Sequence, residues 1–364
     1  MQESGTETMK IKMLKYVKTG IARMLLAVAA LSGLASCEDF YEYGADCVVT
    51  YRVKFRYDMN LKWADAFANE VKSVRLYAFD EGGTLVREFT EAGSRLADPD
   101  YSLTLDLPAG NYHLLAWCGI DNESLQSPQF RVPAATAGMT QLEALTCRLE
   151  RRNDESWPSA YSSERLEFMF HGQLDVELPE STNGDYVYTV PLTKDTNHVR
   201  IILQQLSGQE MDVEKFRFTI EDDNGFYAHD NSLLEDETVT YRTYRTTSGT
   251  ASVGKEDTRA LIDVQGAIAD LSVGRMMADH KKKMTLTITN TENGATVARV
   301  PLIDYALLAK DYYEEAYGHR MSDQEFLDRE DEYVLTFFLD ESMTWNAASI
   351  LIHSWRIVLH NYGL

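Results

Sequence analysis

The chain has 364 residues, 44% of them hydrophobic, which suits one or two folded domains and argues against wholesale disorder. Its net charge of −22 argues against nucleic acid, because phosphate binding needs a basic face. The main basic cluster of the folded part, Lys281–Lys283, runs directly into a strand-like stretch and reads as a solvated strand end.

Lys10, Lys12, Lys15, Lys18 and Arg23 form a basic region, followed by the apolar run Met24 to Leu34. That run has the length of a signal-peptide core and is too short to span a bilayer. Leu34-Ala35-Ser36-Cys37 then supplies an aliphatic residue, two small residues and a cysteine, the order of a lipobox. Small residues are needed there because the peptidase must fit the backbone into a narrow site beside the membrane. The sequence thus predicts a signal peptide over 1–36, cleavage before Cys37 and acylation of Cys37. Each buried methylene contributes about 0.8 kcal/mol, and several acyl chains hold a protein where one does not. Glu3 and Glu7 sit oddly ahead of a basic region, so Met9 and Met13 compete with Met1 as the start. Residues 37–47 form a tether, and its Glu38 and Asp39 resemble the acidic signal that sends lipoproteins to the outer face of the outer membrane.

With Cys37 taken by lipid, Cys47, Cys118 and Cys147 remain, an odd number in a chain that crosses an oxidising compartment. Cys118 with Cys147 is the candidate disulfide, worth about 3–4 kcal/mol in the chain-entropy model. Cys118 lies on an apolar strand, so a buried free thiol is an equal alternative.

Val49, Tyr51, Val53, Phe55 and Tyr57 alternate with polar residues, the signature of a strand with one face buried. A loop or helical turn follows, then Val74 to Ala78, a turn at Asp80-Glu81-Gly82-Gly83, and Thr84 to Phe89 as hairpin partner. Leu103, Leu105 and Leu107 alternate, Pro108-Ala109-Gly110-Asn111 turns, and Tyr112 to Cys118 runs back. This Leu-Pro-x-Gly-x-Tyr turn is common in transthyretin-like sandwich domains, a likeness of fold type only. The pattern loosens from 122 to 165, then strands return at Leu166 to Leu178 and Tyr186 to Leu192. The second half follows the same pattern, with strands at Phe216 to Ile220 and Thr238 to Tyr244 and the hairpin Thr285–Thr289, Asn293-Gly294, Thr296–Leu302. Tyr333 to Leu339 and Ile350 to Leu359 add late strands, while Tyr305–Tyr317 and Asp323–Arg329 look helical. Short strands with regular turn signals predict an all-β protein of two tandem transthyretin-like or Ig-like β-sandwiches, over 48–192 and 193–364.

Catalytic templates are missing: no nucleophile elbow, zincin helix, phosphate loop or dinucleotide fingerprint, so neither an enzyme nor a cofactor is expected. His113 and His353 read as packed or surface residues, since neither lies at ligand spacing to a second histidine or cysteine. Asp222-Asp223-Asn224-Gly225 lacks the alternating ligands and closing Glu of a calcium loop and reads as a turn. Glu325, Asp328, Glu330, Asp331 and Glu332 crowd into one segment, whereas a glycosidase pair faces across a cleft; a helix end or solvated loop fits better.

Val300-Pro301-Leu302-Ile303-Asp304-Tyr305, then Gln324-Glu325-Phe326-Leu327-Asp328-Arg329-Glu330-Asp331-Glu332-Tyr333, then Trp345 and Trp355 resemble the FimB-type fimbrial anchor family of Bacteroidales. Val53-Lys54-Phe55-Arg56-Tyr57-Asp58, Ala66-Phe67 and Val71-Lys72-Ser73-Val74 resemble that family's opening, so the likeness covers essentially the mature chain. It implies a lipoprotein of two transthyretin-like sandwiches at the base of a fimbria on the outer membrane, limiting fibre length. The implied partner is the major fimbrial shaft subunit, docked by strand addition to a sheet edge. The competing reading is a surface glycan-binding lipoprotein of a polysaccharide-uptake system. Exposed tryptophans on a flat face would favour it, and buried Trp117, Trp345 and Trp355 would count against it.

Overall fold

The computed structural model describes residues 49–121, 128–154, 159–181, 183–205, 211–254, 261–343, 345–352 and 355–360, with side chains left aside over 250–265 and 346–360. The signal peptide, the tether with Cys37 and Cys47, and His353 lie outside the described residues.

The first stretch holds β1 (Val49–Arg56), a short helix α1 (Phe67–Glu70), β2 (Ser73–Asp80), β3 (Leu85–Ala92), β4 (Leu103–Leu105) and β5 (Gly110–Cys118). Short strands β6 (Phe130–Arg131), β7 (Cys147–Leu149) and β8 (Ala160–Ser162) precede β9 (Phe170–Leu178), β10 (Gly184–Pro191) and β11 (Thr193–Lys194). The second stretch holds β12 (Thr196–Gln205), β13 (Phe216–Asp222), β14 (Phe226–Tyr227), β15 (Val239–Arg242), β16 (Arg245–Gly254), β17 (Leu261–Gly274), β18 (Thr285–Asn290) and β19 (Thr296–Pro301). Helices α2 (Leu302–Tyr317) and α3 (Asp323–Arg329) follow, then β20 (Glu332–Leu339), β21 (Trp345–Ile352) and β22 (Trp355–His360).

The protein is all-β in architecture, as its alternation predicts. Sheet β10-β1-β4 faces sheet β11-β9-β5-β2-β3 across a core that includes Val53, Phe55, Leu76, Leu114, Ala116 and Phe170. Sheet β16-β17-β12-β20-β21-β22 faces sheet β19-β18-β13-β15-β8 across a second core with Ile201, Leu203, Phe218, Ile220, Leu271, Ile288 and Phe337. In β5 the two-residue period sends Leu114, Ala116 and Cys118 into the first core and Leu115 and Trp117 into the second. From Leu114 onward both faces of that strand are covered, which is why Leu114–Cys118 reads as a continuous apolar run rather than an alternating one.

The predicted turn at Pro108–Asn111 joins two sheets rather than two paired strands. β4 pairs with β1 while β5 pairs with β2 and β9, so the turn carries the chain from one sheet to its opposite. The reason is apolar on both sides: Leu103 and Leu105 meet Leu114 and Ala116 within one core rather than along one sheet. Tyr112 Oη donates to the Pro108 carbonyl at 3.0 Å and fixes the corner. The loosely patterned segment joins the second half: β8 pairs in parallel with β15, and β7 pairs with β14.

The two predicted helices are present. α2 starts earlier than its periodicity suggested, directly after Pro301, and ends at Gly318 with φ of 67°, a left-handed cap that costs a glycine little. α3 is capped by Ser322, whose hydroxyl accepts from the Glu325 N–H at 3.0 Å. The late strand predicted over 350–359 is two strands, β21 and β22, paired antiparallel.

The Cys118–Cys147 disulfide is not formed. Both thiols are free and buried, Cys118 in the first core and Cys147 in the second, where its Sγ lies 3.6 Å from Met169 Sδ. Strand alternation points the two side chains into different cores, so the free-thiol alternative describes this fold. Burial pushes both thiols above the usual cysteine range.

Candidate functional site

The acidic segment after α2 is the helix end that the sequence allowed, α3 running through Glu330 and Asp331 into β20, rather than a solvated loop. Residues 324–333 form a largely buried polar clasp between elements drawn from both ends of the chain, with Glu332 left exposed. Gln324 accepts from the Ala278 N–H at 2.9 Å and donates to the Met276 carbonyl at 3.0 Å. Asp328 takes a bidentate fork from Arg275, at 2.8 and 2.7 Å. Arg275 also donates to the Asn231 carbonyl at 2.9 Å and lies 3.7 Å from Asp195, which is fully buried. Burial pushes the Asp195 carboxyl up to about 7, with Arg275 and the Asn231 amide pulling the other way.

Arg329 reaches toward the N-terminal half. It donates to Glu325 at 2.9 Å and to the Asp58 carbonyl at 3.0 Å, and its guanidinium lies 3.6 Å over the Trp63 ring. The Leu61 N–H returns a bond to the Arg329 carbonyl at 3.1 Å. Glu330, 1% exposed, turns inward and accepts from the Asp331 and Glu332 N–H groups at 3.0 and 2.8 Å. Burial pushes its carboxyl up to about 8. Asp331 pairs with Lys194, which also holds Glu70 at 2.5 Å and sits 3.8 Å over the Phe168 ring. These carboxylates are taken up by arginine, lysine and backbone N–H groups, so the segment serves as a clasp.

Assembly by strand addition needs an edge, and the described edges differ sharply. β4, β8, β11 and β14 are too short to template a partner. β3 carries Arg87, Glu88 and Glu91 and meets β2 through a bulge. β10 ends in Pro191 and β19 in Pro301. β22 is six residues with Arg356 and His360. β16 is ten residues in unbroken register with β17, from Arg245↔Asp270 to Gly254↔Leu261. Its sequence, Arg-Thr-Thr-Ser-Gly-Thr-Ala-Ser-Val-Gly, holds no proline, no lysine and one charge, at its first position. Residues 245–248 are exposed. Charges, prolines and bulges are how natural sheets blunt their edges, and β16 carries little of this protection.

Two further groupings stand on the surface. Trp63, 43% exposed and at φ of 54°, donates its indole N–H to Tyr313 Oη at 3.0 Å and meets His319 edge-on at 4.2 Å. Tyr317, 62% exposed, lies against Tyr313 at 4.6 Å with the rings tilted by 31°. The Asp222–Gly225 turn is where the sequence places it, but His280 joins Asp222 and Asp223 there, their ligand atoms lying within 4.8 Å of one another. That third member sits 57 residues away and no local spacing announces it. His113 contacts Asp175 at 2.5 Å as a partly exposed strand residue. Trp117 is fully buried, Trp345 packs on Phe337 at 5.7 Å, and the Trp355 side chain lies outside the described residues.

A family model described as fimbrillin-A associated anchor proteins Mfa1 and Mfa2 matches residues 43–361. A Bacteroides thetaiotaomicron protein proposed as an adhesin is 32% identical, with 85% of this chain and 97% of that one covered and a TM-score of 0.70. A second protein of that organism, proposed to bind polysaccharide, is 29% identical over 87% of this chain and 100% of its own, also at 0.70. The fimbrial anchor protein Mfa2 from Porphyromonas gingivalis shares the fold at a TM-score of 0.61 and 17% identity, covering 87% of this chain and 100% of its own. No curated protein sequence matches the chain.

Proposed function

The chain belongs to the family of fimbrillin-A associated anchor proteins, and from that premise we propose that it holds a fimbria to the outer membrane and limits its length. The family match over residues 43–361 carries the reading and supports a fimbria-associated role at the cell surface. Acyl chains on Cys37 fix the foot, residues 37–47 span the gap, and the folded part, divided near residue 192, receives the basal shaft subunit. The role is structural rather than catalytic. The β16 edge suits it best for docking, because an incoming strand can satisfy its outward backbone groups over ten residues.

A cell-surface experiment tests each half. Cys37→Ala should release the protein from the outer membrane and abolish labelling by fatty acid, and the mutant strain should shed long fibres. A photo-crosslinking side chain at Thr247 should capture the shaft subunit, while one at Glu88 in β3 should not. Retention of an unlabelled Cys37→Ala protein sinks the lipid foot, and capture at Glu88 alone moves the docking edge.

Glycan binding is the second reading. The exposed Trp63, Tyr317 and His319 favour it, as does the likeness to a protein proposed to bind polysaccharide. Buried Trp117 counts against a flat tryptophan face. Unchanged fibres in a deletion strain, together with glycan binding lost in Trp63→Ala, would transfer the function to that surface.

A further inference from the structure

The group formed by Asp222, Asp223 and His280 stands apart from the clasp and from the β16 edge. Asp222 closes β13 and Asp223 opens the turn after it, while His280 belongs to the loop between β17 and β18. His280 Nε2 bonds Asp223 Oδ1 and lies 3.8 Å from Asp222 Oδ1. The two loops are stitched together beneath this group. Asn224 donates to the Arg275 carbonyl at 2.9 Å and accepts from Tyr241 Oη at 2.7 Å, and the Arg275 N–H donates to Tyr227 Oη at 3.0 Å. The three side chains are therefore presented by a fixed backbone, as a pre-organised binding site requires.

Charge pairing sets Asp222 apart from the other deeply buried aspartates. Asp195 faces Arg275, Asp236 faces Arg148 and Arg151, and Asp270 faces Arg200 and Arg245. The Asp222 side chain is 1% exposed, and the basic side chain within ion-pair distance of it is the His280 imidazole rather than a guanidinium. One further bond reaches its carboxylate, from the Asp223 N–H at 2.9 Å. Lys282, the nearby ammonium, is given to Thr238 Oγ1.

We propose that Asp222, Asp223 and His280 form a binding site for a divalent transition-metal cation of the zinc type. One imidazole and two carboxylates are a donor set that zinc accepts, with bonds of about 2.0–2.2 Å, and a water completes a tetrahedron. Donor atoms already within 4.8 Å of one another close to that geometry by side-chain rotation, without moving the stitched backbone. The ion brings a divalent charge to a buried carboxylate that, unlike Asp195, Asp236 and Asp270, faces no guanidinium within ion-pair distance among the described residues. It also tightens the 275–283 loop, the loop that offers Met276 and Ala278 to Gln324 of the clasp.

The test uses the full mature chain, purified in detergent without an affinity tag and titrated with zinc chloride by calorimetry and thermal melting. One zinc per chain is expected, with a rise in Tm. His280→Ala and Asp223→Asn, both at partly exposed positions, should each weaken binding by about a hundredfold or more while melting like the metal-free native protein. Absence of stoichiometric uptake overturns the site. So does uptake that both variants retain, which would assign the zinc to cysteines. Should His280→Ala fail to fold, Asp223→Asn decides by the same readout.

Discussion

The clasp at residues 324–333 and the edge of β16 are opposite solutions for backbone and charge. In the clasp, carboxylates that would cost several kcal/mol if buried alone are answered by Arg275, Lys194 and backbone N–H groups. Along β16, ten residues keep one side of their hydrogen bonding turned outward, with no proline and a single charge, at the first position, to discourage a partner. A region that is complete within its own chain holds shape. A region left unfinished is where a second chain can add. Sequence hydrophobicity does not separate the two, since one is acidic and the other a run of threonine, serine and glycine.

Breaking the clasp should give the largest effect. Arg275→Ala strands Asp195 and Asp328 without their guanidinium and should cost about 3–5 kcal/mol of unfolding free energy in urea titrations. A loss under about 1 kcal/mol would show that the fork contributes little.

The clasp also sets a pH dependence. Glu330 titrates near 8 in the folded protein against an ordinary value near 4.5, so the folded state keeps a proton that the unfolded state releases. Its contribution is fully present below about pH 4.5, declines as pH rises and is gone above about pH 8. Glu330→Gln, which cannot ionise, should flatten that part of the fall in Tm; an unchanged slope would place the pH dependence elsewhere.

Smaller still, and sharpening the role of the cores, is thiol access. Cys118 and Cys147 should react with a maleimide in denaturant and stay unlabelled in the native protein. A fully oxidised pair by mass would contradict their separation into two cores. At the edge, Thr247→Lys should change stability by no more than about 0.5 kcal/mol yet weaken shaft capture. Equal capture would remove β16 from the comparison.

Much of the architecture is legible in local pattern. Val49–Tyr57, the hairpin around Asn293-Gly294 and both helices follow from period, turn chemistry and caps. β16 and β17 escape that reading, because Thr, Ser, Gly and Ala carry no strong alternation and the strand is defined by its neighbour. The Leu-Pro-x-Gly-x-Tyr turn is visible but its destination is not: a turn fixes a reversal, while the choice of sheet is made by the core on either side. The clasp is the sharpest case. Its residues are distinctive in sequence, but Asp58, Lys194 and Arg275, which give them meaning, are far along the chain. His280 is hidden from Asp223 for the same reason.

The position of β12 bears on mechanical load. The chain leaves the sheet β11-β9-β5-β2-β3 through β11 and enters the sheet β16-β17-β12-β20-β21-β22 at Thr196, on a strand flanked by β17 on one side and by β20 in parallel on the other. Under the proposed anchoring, the share of tension that the covalent link carries past the β7–β14 and β8–β15 pairs and the clasp would run along the axis of an interior strand. Eight residue pairs on each flank resist together, in shear, and no single bond at a free rim can be peeled first. A fold threaded in this way carries a sustained tug through its middle rather than its margin.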